Sequence, residues 1–114
     1  MKKKERVTYD TVRLLALRMP DVEEGTSYGT PALKIRGSLF VRLRPDLDSI
    51  VLRMPFDQRE ELMAAEPLTY YITEHYRNYP WILVRLTSVS MDALPDLLRA
   101  GYRHAAPARR ARRK

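Results

Sequence analysis

The pentapeptide Gly25-Thr26-Ser27-Tyr28-Gly29 has the G-x-S-x-G spacing that makes a strained, exposed nucleophile when a strand enters it and a helix leaves it. Here an acidic segment precedes it, and Pro31 opens a run of strand-forming residues after it, so the strain has no frame. His75 and His104 have no acid at a spacing that would orient either as a base, which sets a serine hydrolase aside. Metal chemistry is equally unsupported: the chain has no cysteine, no H-x-x-x-H or H-x-E and no carboxylate-rich loop. Glu23 with Glu24, and Glu60 with Glu61, are sequence neighbours whose side chains diverge, so they read as solvated surface rather than acid and base. Gly25 and Gly29 also lack the strand-loop-helix setting of a phosphate cradle. No enzyme, metal or cofactor is expected.

What remains is a pattern of cations in alternating segments. If the Gly37-Ser38 turn joins its strands with an odd loop, Leu33, Ile35, Leu39, Val41 and Leu43 share one face. Lys34, Arg36, Phe40, Arg42 and Arg44 then share the other, with Arg53 and Arg85 at equivalent positions of later strands. Such a face tracks a phosphate backbone and stacks on bases. A two-residue turn would instead pair Ile35 with Phe40 and Leu33 with Arg42, mixing the faces. A water-facing sheet side also needs polar side chains, and Arg and Lys stems cover apolar surface well. His75, Tyr76, Arg77, Tyr79 and Trp81 carry a similar ambiguity between a base-stacking platform and a plug for the core at the sheet edge.

The elements that would position these residues follow from periodicity. Residues 8–19 have helical spacing with Thr8 or Asp10 as N-cap, and Pro20 ends the helix. Residues 21–31 read as a long acidic, Gly/Thr/Ser-rich loop. Strands are predicted over 32–36, 39–44 and 49–54. Asp57-x-x-Glu60 reads as the reciprocal cap of a second helix that runs to Ala65, with Pro67 beyond it. Residues 69–73 and 81–86 read as strands joined by a wide hairpin, and a last helix runs to Arg103. Ser90 or Asp92 caps it, and Pro95, tolerated only in a first turn, favours Asp92. The order α-β-β-β-α-β-β-α predicts an α+β two-layer sandwich, a single five-stranded antiparallel sheet with helices on one face.

A chain of 114 residues makes one domain able to bury roughly two-thirds of its unfolded surface. No apolar run approaches the roughly 18 residues of a membrane span. Met1-Lys-Lys-Lys4 is a charged head without the apolar stretch of a signal peptide, so a cytoplasmic location is expected. The net charge of +7 is uneven: residues 1–6 carry +3 and residues 109–114 carry +5, leaving −1 on residues 7–108. The expected organisation is a basic extension over 1–6, one domain over 7–105 and a basic disordered tail over 106–114. In that tail Arg109, Arg110, Arg112, Arg113 and Lys114 would contact polyanions through counterion release.

The glycine-bounded Tyr28 loop, the Lys34-Ile35-Arg36-Gly37 hairpin and the Tyr79-Pro80-Trp81 entry to a late strand together resemble the MmcQ/YjbR family of small bacterial proteins. The resemblance covers about residues 7–105. It implies a two-layer fold similar to secretion chaperones and a non-enzymatic, DNA-binding role in which a winged arrangement of hairpins meets DNA. The matching pieces are the Lys34 to Arg44 and Tyr76 to Arg85 hairpins, so the expected contacts are Lys34, Arg36, Arg42, Arg44, Arg53, Arg77 and Arg85. DNA is the expected partner of a monomer. The alternative is a protein- or small-ligand-binding module that uses residues 23–31 and the sheet face.

Overall fold

A computed structural model describes residues 6–106. The expected contacts Arg109, Arg110, Arg112, Arg113 and Lys114 lie outside the described residues, as does nearly all of both basic extensions. The elements are α1 (Tyr9–Ala16), β1 (Val22–Ser27), β2 (Thr30–Ile35), β3 (Ser38–Leu43), β4 (Ser49–Arg53), α2 (Phe56–Ala65), β5 (Tyr70–Tyr71), β6 (Trp81–Arg85) and α3 (Leu94–Ala105). The strands form one six-stranded antiparallel sheet in the order β1-β2-β3-β4-β6-β5.

The sixth strand corrects the sequence expectation. Residues 22–27, read as loop, pair with β2 from Val22 opposite Ile35 to Ser27 opposite Thr30. β1 is an exposed edge whose order comes from backbone pairing rather than from side-chain burial, so Glu23, Glu24 and Gly25 give no apolar alternation. Tyr28-Gly29 closes the β1–β2 hairpin with both residues at positive φ, 54° and 81°, the two-residue turn whose twist suits paired strands.

The next hairpin turns on Arg36-Gly37, φ 50° and 89°, rather than on Gly37-Ser38. Its even loop would have mixed the faces, but the register steps between Lys34 opposite Leu39 and Leu33 opposite Val41. Phe40 is the extra residue of this bulge. It turns into the core and meets Tyr102 edge-on at 6.1 Å, while Leu39 takes the opposite face. The expected positions of Leu39 and Phe40 are therefore exchanged, whereas Leu33, Ile35, Val41 and Leu43 are core residues as expected.

The helices cover one face of the sheet. α3 lies across β3 and β4, α1 packs on α3, and α2 packs against β5 and β6. α3 comes close because Gly101 has no side chain: a Cβ there would stand 2.6 Å from the Arg53 carbonyl oxygen. Thr8 caps α1 in a reciprocal box with Thr11, and the helix ends at Ala16, three residues before Met19. α2 starts at Phe56 behind Pro55, and Asp57 binds the Gln58 amide at 2.9 Å instead of capping. Ala93, not Asp92, precedes α3, its amide held by Ser90 Oγ at 3.1 Å, and Pro95 falls in the first turn. No helix among the described residues is long and apolar enough to cross a membrane.

Candidate functional site

The face without helices carries the chemistry. The ladder sets Ala32, Arg42, Val51, Leu83 and Tyr71 in one row across five strands, each opposite the next. Alternation places Lys34, Leu39, Arg53 and Trp81 on one side of this row, and Ser49 and Arg85 on the other. Ala32, Val51 and Leu83 are buried although they lie outside the helix-side core, so something covers this face.

Part of the cover is the segment between β5 and β6, which makes a 3₁₀ turn over Glu74–Tyr76 and brings His75, Tyr76 and Tyr79 over the sheet. Arg59 of α2 holds it in place. Its guanidinium, 3% exposed, donates to the carbonyl oxygens of Tyr76 (3.1 Å), Arg77 (3.0 Å), Tyr79 (2.7 Å) and Trp81 (3.2 Å), and lies over the Phe56 ring at 4.8 Å. Four main-chain acceptors of an irregular loop are thus satisfied by one planar donor fork.

A cleft of about 260 Å³ lies between loop and sheet. Leu39, Arg42 and Val51 contribute from the sheet, and Tyr28, His75, Tyr76, Tyr79 and Trp81 complete the lining. Arg42 is only 9% exposed. Its Nη1 donates to Thr30 Oγ1 at 3.3 Å and its Nη2 to the Tyr76 hydroxyl at 3.1 Å, and Tyr28 lies 5.3 Å from the guanidinium carbon. All of these partners are neutral, and Arg42 makes no ion pair among the described residues. A buried cation normally has a countercharge, so this one is suited to receive an anion.

The other expected contacts are used in different ways. Arg53 lies over Trp81 at 4.9 Å and donates to the Leu39 carbonyl at 3.3 Å, and burial lowers its pKa. Arg85 lies over Tyr71 at 4.5 Å and donates to the Leu68 carbonyl at 2.9 Å. Arg44 follows β3 half-buried, and Lys34 stands opposite Glu23. Arg36 sits in a turn, 3.6 Å from Asp21, and Arg77 pairs with Glu74 at 3.2 Å. The uninterrupted basic stripe is therefore replaced by arginines laid on aromatic rings around a cleft. The sequence names Tyr76 in an aromatic loop and Tyr28 in a candidate binding segment but does not bring the two together at Arg42, and it gives Arg59 no role at the loop; interleaved Arg and Tyr was the available signal. Among the described residues no group of three His, Asp or Glu could hold a metal ion.

Comparisons bear on the fold and the family. No curated protein matches the chain. The crystal structure of the Deinococcus radiodurans protein DR2400, which contains a DUF419 domain, superposes with a TM-score of 0.75 at 23% identity. The match covers 89% of this chain and 80% of that one, and at this identity it shows a shared fold. The YjbR family model matches residues 17–104, from the end of α1 through nearly all of α3 and including every strand. The chain belongs to the YjbR family.

Proposed function

We propose that this protein is a non-catalytic nucleic-acid-binding protein whose contact surface is the helix-free face of the sheet. The observation that carries this proposal is Arg42, a buried cation with neutral partners at a cleft rimmed by aromatic rings. Arg53 and Arg85 extend the cationic surface along the same face, each backed by a ring that keeps the guanidinium in place. Guanidinium groups match phosphate oxygens in geometry, and rings accept stacked bases, so the two group types together favour nucleic acid over an uncharged ligand. Lys34 and Arg44 border the same surface and supply further phosphate contacts. Arg36 and Arg77, already paired with acids, contribute less. The protein works as a cytoplasmic monomer in this proposal.

A second function, a small-ligand module, draws on the same cavity: a space of about 260 Å³ can hold one small anionic molecule. The two are separated by salt. A labelled oligonucleotide titrated at several salt concentrations should give a log-log slope of about −0.9 per neutralised phosphate on duplex and about −0.7 on single strands. Absence of binding at low salt contradicts the proposal, as does affinity that is unchanged at high salt.

A further inference from the structure

We infer that the cleft takes one unpaired nucleobase of a single strand, stacked at the exposed Tyr28 and Tyr79 rings, with its phosphate on Arg42. The inference rests on the nucleic-acid function proposed above and narrows it from nucleic acid in general to single strands.

The first support is exposure. Tyr28 is 88% exposed and Tyr79 56%, and both line the cleft. Neither ring belongs to the core, and both are open to an incoming planar group. Tyr28 is also held in a costly conformation. At φ 54° it occupies a turn position that favours Asn, Asp or Gly, and its side chain regains little through burial. A strained aromatic aimed at a buried cation is the kind of local conflict found at binding sites.

The second support is size. The cleft holds about 260 Å³, just under the roughly 300–1,000 Å³ typical of sites for drug-sized ligands. One ring system fits such a space, whereas a base pair, with its edges locked in a duplex, cannot enter it.

The third support is charge. Thirteen basic and thirteen acidic residues leave residues 6–106 with no net charge. A duplex-binding surface gains its affinity by neutralising many phosphates, and a neutral body is poorly suited to that. Stacking tolerates a neutral body, because each base brings its own apolar face and only the phosphates beside it need a partner. Arg42 is placed for one such phosphate: two of its N–H groups are used on Thr30 and Tyr76, and the remainder can donate to an oxygen in the cleft.

Trp81 is the only tryptophan and lines the cleft, so its emission reports occupancy directly. The full chain is titrated with oligothymidylate of about 12 nucleotides, with a duplex of equal length and with thymidine monophosphate, and the titration is repeated with Tyr28→Asn. Asn suits the turn, so this variant should melt no lower than wild type, which keeps loss of binding separate from loss of fold. The expected result is quenching by oligothymidylate, at least about tenfold tighter binding of the single strand than of the duplex, and about tenfold weaker single-strand binding by Tyr28→Asn. Equal affinity for both nucleic acids, unaffected by Tyr28→Asn, overturns the inference while leaving the nucleic-acid function standing. Thymidine monophosphate binding as tightly as the oligomer assigns the cleft to a free small ligand and overturns it as well. Binding of no nucleic acid at all overturns the broader proposal and this one together.

Discussion

The Arg59 guanidinium, on α2, donates to the main-chain oxygen of Tyr79, twenty residues away, at 2.7 Å. Together with its bonds to Tyr76, Arg77 and Trp81, this contact makes one buried side chain responsible for the position of the aromatic loop. Arg59→Met keeps the apolar stem but removes all four bonds at once, and the Tyr76 and Tyr79 oxygens keep only the amides of Tyr79 (3.1 Å) and Trp81 (2.8 Å). It should cost at least about 3 kcal/mol and disorder the cleft. Arg59→Lys should not restore the loss, because an ammonium cannot fan across four carbonyls. Urea unfolding followed by Trp81 emission measures both variants, and a loss under about 1 kcal/mol for Arg59→Met would contradict this role.

Gly101 gives a prediction opposite in sign to helix propensity. Alanine is favoured over glycine in a helix by about 1 kcal/mol, yet its Cβ would stand 2.6 Å from the Arg53 oxygen, 3.0 Å from Leu52 Cδ1 and 3.2 Å from Phe40 Cε1. Backbone oxygen cannot swing aside, so α3 must lift off the sheet. Gly101→Ala should therefore destabilise by about 1–3 kcal/mol, read as a lower urea midpoint.

Leu47 should respond the other way. It is 70% exposed with φ 62° in the β3–β4 loop, so its side chain bears left-handed strain without burial in return. Leu47→Asn should raise stability by up to about 1 kcal/mol, and thermal melting is the check.

Tyr9 and His104 contribute to the pH dependence of stability, and Tyr70, its pKa raised by burial and then by the charge of Glu66, acts on the same alkaline side as Tyr9. Burial, then the charge of Glu24, pushes the Tyr9 hydroxyl from 10.0 up to about 12, against the opposing effect of Arg13. The folded state thus favours the neutral phenol: this stability is complete below pH 10 and is lost as pH rises towards 12. Burial, then the charge of Arg53, lowers His104 from 6.5. Its contribution is present above pH 6.5 and is lost as pH falls below it. In melting temperatures recorded against pH, Tyr9→Phe should reduce the slope of the alkaline arm, with Tyr70 supplying part of what remains, and His104→Gln should reduce the slope of the acid arm.

The parts of the fold that announce themselves locally were legible in the sequence. Leu33 to Ile35, Val41 to Leu43 and Trp81 to Arg85 alternate as strands with a buried side, and Thr8 caps α1 as its position implies. β1 was not legible, because an acidic edge strand is ordered by its neighbour's backbone rather than by its own apolar residues. The bulge at Phe40 escaped because one inserted residue exchanges the faces of Leu39 and Phe40 without altering composition or spacing. The Tyr28 hairpin and the 75–81 loop each carried a signal, but only the tertiary fold brings them together over Arg42. Arg59 occupied a helix surface position like any other until a loop 17 to 22 residues onward folded against it.

The central claim is that the sheet face, rather than the basic C-terminal segment, binds nucleic acid. It is tested by comparing deletion of residues 109–114, which removes five positive charges, with replacement of Arg42, Arg44 and Arg85 by Gln, which removes three. Both variants are first checked for cooperative melting, then titrated by fluorescence anisotropy with single-stranded and duplex oligonucleotides at one salt concentration. Positioned arginines fix register, so the triple substitution should weaken single-strand binding at least about tenfold and erode the preference over duplex. The deletion should weaken both nucleic acids alike. Abolition of binding by the deletion, with the triple substitution leaving affinity and preference untouched, would contradict the account.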